Sequence, residues 1–447
     1  MKGRKMIAAA LLAVLVAVLS ACGGPQQQAQ GGQQPVKVVF WYSVGGKVAE
    51  ATKALVDQFN KTHPGIQVEA VFQGSYDDAL NKLKQSIRSN ATPNVMQVYD
   101  IGTRFMIDSK AIVPVQKWID ADKLDTSSFE PNILAYYTVD NKLYSMPFNT
   151  STPILYYNKD MFKAAGLDPE KPPRTFEEVA ASAKKLTVRD DSGKVTRPGL
   201  TLAIYGWFFE QFMAEENALY ANQSNGRDGA ATAVAYDNAQ GEKILNWWND
   251  MVKDGVCENI GRKTSDSQKA FIAGQTAMTI DSTGVLPDIM DGINGKFQVG
   301  TAFMPRPAGS DGGVIIGGGS LWLMGNHSAA EEKAAWEFIK FMTAPEQQAY
   351  WHIHTGYFPI TKLAYNEENL KQFHQKYPQF KVAIDQLHSS PITRATQGAL
   401  LGVFTQGRQE IETAIEQVLN GQATAAEALK KAAARVNEAI ARYNQTK

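Results

Sequence analysis

Few of the residue spacings in this chain of 447 residues suit bond-making chemistry. His352 and His354 sit two apart in Trp-His-Ile-His, with no third ligand nearby. On a helix that spacing points the two rings to different faces, so no zinc or other metal site is expected. Gly317 to Gly319 is not followed by Gly-Lys-Ser, which argues against a nucleotide loop. No Gly-x-Ser-x-Gly elbow or Cys/His nucleophile pair stands out. Glycosidase work needs two carboxylates flanking the bond, and Asp100 has no evident partner in the sequence. Neither an enzyme nor a cofactor is expected. Instead, aromatic residues gather at loop positions: Trp41, Tyr42, Tyr76, Trp207 and Tyr357. Such rings stack on the C–H face of a polyol and attract a quaternary ammonium, though they also serve as core or interface filler.

The elements around these residues read as alternating strands and helices. Val36 to Ser43 has strand length and composition, Val48, Thr52, Leu55, Val56 and Phe59 recur at helical spacing, and Ile66 to Phe72 alternates at period two. Leu80, Leu83 and Ile87 mark a second helix and Asn94 to Tyr99 a third strand. This order implies parallel pairing in an α/β sheet, whose ligands sit beyond the carboxyl ends of strands. Trp41 to Gly46, Gln73 to Tyr76 and Tyr99 to Thr103 follow those ends. Further on, Thr175 with Glu178, Ser328 with Glu331 and Thr424 with Glu427 form capping boxes that open helices.

The N-terminal segment reads as an address. Lys2, Arg4 and Lys5 precede an apolar run from Met6 to Leu19, too short to span a bilayer comfortably but suited to a secretory signal. Leu19-Ser20-Ala21-Cys22 resembles a bacterial lipobox, so residues 1–22 are expected to be a lipoprotein signal peptide with Cys22 the lipidated residue. Residues 23–35 have tether composition, with a reach of roughly 20 Å. The remaining 413 or so residues suit two domains. Without Lys2, Arg4 and Lys5 the 45 basic residues become 42 against 45 acidic, near −3, with no basic excess to suggest nucleic acid. Besides Cys22 the chain has only Cys257, so no internal disulfide forms.

Four segments carry a specific resemblance: FNKTHPGIQVEAVFQGSY at 59–76, NVMQVYDIGT with SKAIVPV at 94–115, PFNTSTPILYYNKDMFKAAGLDPEKPP at 147–173, and IIGGGSLW with HIHTGYFPITK at 315–362. Over roughly residues 37–446 the chain resembles the family 1 extracellular solute-binding proteins of ABC importers, the maltose-binding-protein-like group. Within that group it is most similar to the branch that binds sn-glycerol 3-phosphate and glycerophosphodiesters. The resemblance implies an α/β, two-lobe periplasmic-binding-protein fold of type II, with a hinge and an interlobe cleft. The expected lobes are 36–146 plus 308–360, and 147–307 plus 361–447. The ligand residues it implies are Tyr76, Asp100, Ser151, Ser282, Gly318, Tyr357 and Arg408, and Trp207 aligns with a tryptophan near the pocket. Trp41 is weighed as a further pocket residue. The branch has Glu where this chain has Asp100.

The chemistry of those positions fits a phosphorylated polyol. Arg408 supplies a planar fork for two phosphate oxygens, Ser151 and Ser282 hydroxyls, Tyr357 a phenol, and Gly318 an approachable backbone N–H. Asp100 would accept from glycerol hydroxyls, so that acid at one end and cation at the other orient the ligand. Plainer roles exist for each: a solvated Arg408, an Asp100 that caps a helix, serines that cap turns. The expected function is a lipid-anchored, extracytoplasmic binding component of an ABC importer, for sn-glycerol 3-phosphate or a diester such as glycerophosphocholine. A di- or oligosaccharide binder is the alternative. The expected partners are the small ligand and the importer's permease subunits, with the membrane reached through the lipid anchor only and the protein itself a monomer.

Overall fold

A computed structural model describes residues 34–446. The expected signal peptide, the expected lipidation at Cys22 and nearly all of the expected tether fall outside the described residues. Among the described residues no helix is long and apolar enough to cross a membrane.

The N-terminal alternation folds as its periodicity implies. Strand β1 (Val36–Tyr42), helix α1 (Gly46–Thr62), strand β2 (Ile66–Phe72), helix α2 (Tyr76–Arg88) and strand β3 (Val95–Tyr99) follow one another. β1 pairs in parallel with both β2 and β3, giving the order β2-β1-β3. Helix α1 buries Val48, Ala51, Thr52, Leu55, Val56 and Phe59, an i, i+3, i+4 stripe against the sheet. Helix α2 opens on a capping box made by Ser75 and Asp78.

The same sheet is completed from far along the chain. Three strands join it: β4 (Ile112–Val113), β5 (Met146–Ser151) and, much later, β11 (Gly317–Met324), which lies antiparallel between β3 and its other partners. A second sheet holds β6 (Pro153–Asn158), β7 (Leu200–Thr201), β8 (Cys257–Glu258), β9 (Met278–Ser282) and β10 (Val299–Ala302), in the order β8-β7-β9-β6-β10. Since β5 belongs to the first sheet and β6 to the second, the chain passes between sheets at Thr152.

Helices from the middle and the C-terminal part of the chain flank this framework. Helix α3 (Gly206–Glu215) is buried at every position, α4 (Pro345–Thr355) and α5 (Glu368–Lys376) pack together, and α6 (Phe404–Leu419) pairs with α7 (Ala425–Asn444). The capping boxes expected at Thr175, Ser328 and Thr424 are all formed, each hydroxyl accepting from the backbone N–H three residues on. Trp248, Trp322, Trp336 and Trp351 are fully buried, so apolar burial rather than disulfides supplies the stability.

One side chain ties distant segments together. The guanidinium of Arg227 donates to the carbonyls of Ala135, Tyr136, Gln397 and Gly398 and lies over the Tyr136 ring, 5.3 Å from its centroid. Replacing it by methionine keeps most of the volume but leaves these carbonyls without a donor. Arg227→Met is expected to lower the unfolding free energy by about 2 kcal/mol, read as a shift in the urea midpoint at constant slope.

Candidate functional site

The site forms where β11 runs between β3 and β5. Its register sets Gly317 opposite Ser151, Gly318 opposite Thr150, and Gly319 between Asn149 and Tyr99. Gly318 has φ +89°, and a Cβ there would lie 1.9 Å from the Asn149 carbonyl. Glycine is therefore required for β11 to approach β5 this closely.

A chain of polar contacts runs across the strand ends. The Gln97 side chain accepts from Ser43 N–H at 2.7 Å and donates to Asn149 Oδ1 at 2.8 Å; Asn149 Nδ2 donates to the Tyr76 hydroxyl at 2.7 Å. Tyr76 stacks on Tyr99 with centroids 5.2 Å apart, and its phenol and that of Tyr357 are hydrogen-bonding neighbours. Burial raises both phenols above the usual tyrosine range, so both keep their protons and can donate. Tyr357 also lies against Gly284, where an added Cβ would come within 2.8 Å of its ring. Ser282, at the end of β9, accepts from Gly284 N–H at 3.1 Å, which leaves its hydroxyl proton available. The capping role considered for Ser282 is thus real and is compatible with a ligand contact. Around this cluster the Thr150 and Thr283 hydroxyls are buried without a hydrogen-bond partner among the described residues. So is the indole N–H of Trp207, whose ring covers Gly317.

Beside it lies a buried ionic group. Arg408 falls on the core-facing stripe of α6, with Phe404, Ile411, Ile415 and Val418, and is 5 % exposed. Its Nε and Nη2 donate to the two oxygens of Glu210 at 2.6 and 2.9 Å, and Nη2 also reaches Asp100 Oδ2 at 3.2 Å. The rings of Tyr205 and Phe404 sit 5.5 and 5.8 Å from the guanidinium carbon. Burial opposes the charge of Arg408, but Glu210 and Asp100 more than offset it and hold the guanidinium well above its ordinary range. Burial pushes Asp100 up to about 6, with Arg408 pulling down and Glu210 pushing up; Glu210 is raised as well, again chiefly by burial.

This arrangement corrects one expectation. Asp100 and Arg408 do not face each other from opposite ends of a ligand: they touch, and the fork of Arg408 is filled by Glu210. The reason is electrostatic, since a guanidinium taken out of water needs counter-charge at hydrogen-bonding distance. The polar end of the site is accordingly made of neutral donors, and the charged end of a carboxylate pair bridged by one cation. Of the residues singled out in the sequence, Tyr76, Ser151, Ser282, Gly318, Tyr357, Asp100, Arg408 and Trp207 are drawn into one neighbourhood. Trp41 is half-buried in β1, paired across to Val71 and Met96 and packed on the core, and shares no hydrogen bond or ring contact with that neighbourhood among the described residues. Glu210 and Asn149 were missed. Both had a signal: an acid inside the apolar stretch Gly206–Glu215, and an amide inside Met146–Ser151.

The ionisation of Asp100 is testable. Its folded-state value of about 6 lies above the ordinary carboxylate value of 3.8, so the native state holds the proton more tightly than the unfolded chain. The resulting stability is full below about pH 4 and is lost as pH rises through 6. Thermal melts across that window are expected to show wild type losing stability relative to Asp100→Asn.

Known proteins share this frame. Residues 54–382 match the family described as bacterial extracellular solute-binding protein. The chain is 37% identical over 435 residues to the sn-glycerol-3-phosphate-binding periplasmic protein UgpB of Pectobacterium atrosepticum, covering 96% of both chains. It is 36% identical to the protein of that name from Yersinia enterocolitica, over 92% of this chain and 93% of the relative. Among solved structures, UgpB from Mycobacterium tuberculosis in complex with glycerophosphocholine superposes with TM-score 0.76 at 21% identity, covering 92% of this chain and all of that one. The maltose-bound MalE3 of T. maritima gives 0.74 at 22% identity, over 90% and 98%. The two sheets described above are therefore the two halves of a type II, maltose-binding-protein-like fold, and the chain belongs to the bacterial extracellular solute-binding protein family.

Proposed function

We propose that this protein is the binding component of an ABC importer and carries sn-glycerol 3-phosphate or a glycerophosphodiester such as glycerophosphocholine. The observation that carries this reading is the division of the site. Tyr76, Ser151, Ser282, Tyr357 and the N–H of Gly318 offer neutral donors that can surround a phosphate group. Asp100, with Arg408 and Glu210 behind it, offers acceptors and donors matched to glycerol hydroxyls. Trp207 contributes an indole N–H and a flat face. The relatives that bind sn-glycerol 3-phosphate, and the structural neighbour that holds glycerophosphocholine, support the same choice.

In this reading the protein works outside the cytoplasm, anchored through a lipid on Cys22 and a short tether, as a monomer. Its two lobes correspond to the two sheets. The first lobe then keeps the strand up to Ser151, which the boundary at 147 divides from its sheet partners, and the hinge crosses at Thr152. Tyr76, Asp100, Ser151, Gly318 and Tyr357 stand with the first sheet, and Ser282, Glu210 and Arg408 with the second sheet and its helices. A ligand that touches both groups favours the closed arrangement by its differential affinity. The permease subunits then receive the closed form.

Calorimetry on the mature chain, prepared without its lipid, tests the reading. It is expected to bind glycerophosphocholine or sn-glycerol 3-phosphate in the micromolar range or tighter. Ser282→Ala combined with Tyr357→Phe, which deletes two donors, is expected to weaken binding by about 10- to 100-fold without lowering the melting temperature appreciably. Tight binding of maltose, with no response to either phosphorylated ligand, would instead establish a sugar binder.

A further inference from the structure

The histidine that the sequence offered as half of an unpromising metal pair has another role. His354 is exposed, and among the described residues its Nδ1 meets the Tyr350 carbonyl, at 2.8 Å. His352 is 1 % exposed, and its Nδ1 lies 2.8 Å from the carbonyl oxygen of Tyr357. A carbonyl oxygen only accepts, so the proton of this contact sits on Nδ1. A neutral imidazole has a single N–H, which leaves Nε2 of His352 as an acceptor. The group that meets it, at 2.9 Å, is Nε2 of His374 on α5, which must then be the donor. Each ring thereby fixes the tautomer of the other.

The surroundings keep both rings neutral and still. Burial lowers His352 to about 3, assisted by His374, and lowers His374 to about 4, with Lys381 acting the same way and Asp385 against it. Phe373 and Phe380 meet the His352 ring edge to face, at 6.1 and 5.9 Å.

The Tyr357 peptide is the point at issue. It follows Gly356, which closes α4 at φ +76° and where a Cβ would lie 2.4 Å from the Thr283 carbonyl, so only glycine fits this turn. The next N–H, of Phe358, bonds the Thr150 carbonyl at 2.8 Å, stitching the segment to β5. Between these two anchors the Tyr357 carbonyl has His352 as its partner. Without that donor a buried carbonyl is left unpaired, the peptide turns to find another, and the phenol on the same residue leaves Tyr76 and Gly284.

We propose that His352 is a positioning residue for ligand binding, holding Tyr357 in register through a two-histidine relay that ends at His374. The assignment rests on Tyr357 contacting the ligand.

The test pairs affinity with a direct view of the rings. Calorimetry with glycerophosphocholine and with sn-glycerol 3-phosphate is expected to show His352→Leu weakened by about tenfold. His352→Asn, whose amide N–H takes the place of Nδ1–H, is expected to stay within about threefold of wild type. The double variant His352→Leu/Tyr357→Phe is expected to bind no more weakly than Tyr357→Phe alone, because both changes remove the same contact. Wild-type affinity in His352→Leu, or single effects that add in full, overturns the proposal. Should His352→Leu not fold, His374→Leu is measured in its place, and unchanged affinity there overturns it equally. Nitrogen-15 NMR of the histidine rings at pH 7 is independent of any ligand. It is expected to show protonated Nδ1 on His352 and protonated Nε2 on His374, and the opposite tautomer on His352 overturns the relay. If wild type binds neither ligand while the tautomers are as stated, the ligand reading fails and the relay stands.

Discussion

A guanidinium removed from water must be met by negative charge at hydrogen-bonding distance, and the binding half of this molecule is arranged around that requirement. Arg408 occupies a slot on α6 that an aliphatic residue would ordinarily fill. It is tolerated there because Glu210 grips its fork and Asp100 reaches its outer edge. Removing one member of such a buried group typically costs about 3–5 kcal/mol, because the remainder is left uncompensated. The three groups come from the end of β3, from α3 and from α6. Their mutual need fixes how these elements stand toward one another, and Tyr99 reinforces it by bonding Thr405, one turn before Arg408, at 2.8 Å.

That constraint decides the chemistry left for a ligand. With both carboxylates ionised the group carries one net negative charge, which does not attract a second anion. A phosphate is better received a few ångströms away, where the phenols of Tyr76 and Tyr357, the serine hydroxyls and the backbone beside Gly318 offer protons without bringing a carboxylate. Neutral donors held rigidly stabilise an anion well, because no reorganisation is needed when it arrives. Close packing between β5 and β11 makes this possible, and a side chain at Gly318 would forbid it.

How much of this was legible in the sequence depended on how local each cause was. The three capping boxes and the helical stripe of α1 arise from contacts within a few residues and read directly from spacing, while the parallel order of the first strands follows from their alternation with helices. The site residues were found through a resemblance carried by short motifs, which delivered identities but not contacts. Asp100 and Arg408 lie 308 positions apart and Glu210 and Arg408 198 apart, so no periodicity links them. A charged residue on a core-facing helix stripe was visible at Glu210 and again at Arg408. Read together, the two opposite charges on two buried faces imply a pair, and the expectation of an open fork at Arg408 arose from considering the arginine alone. Asn149 was hidden for a similar reason: its role as the link between Gln97 and Tyr76 exists only once the strands are aligned.

The polar cluster belongs mainly to the first sheet, whereas Glu210 and Arg408 belong to helices that pack with the second. Tyr357 is held by a relay of its own and Ser282 by its turn, so neither has to be ordered when a ligand enters. Preorganisation of this kind moves the cost of ordering side chains from binding to folding. What remains for the ligand is to supply contacts to both halves at once. A molecule that engaged only Tyr76, Ser151, Tyr357 and Asp100, or only Ser282, Glu210 and Arg408, would bind one half and leave the balance between open and closed unchanged, because a ligand shifts such a balance only by its differential affinity. In the proposed reading a phosphate joined to a glycerol carries both chemistries, whereas inorganic phosphate or glycerol alone carries one.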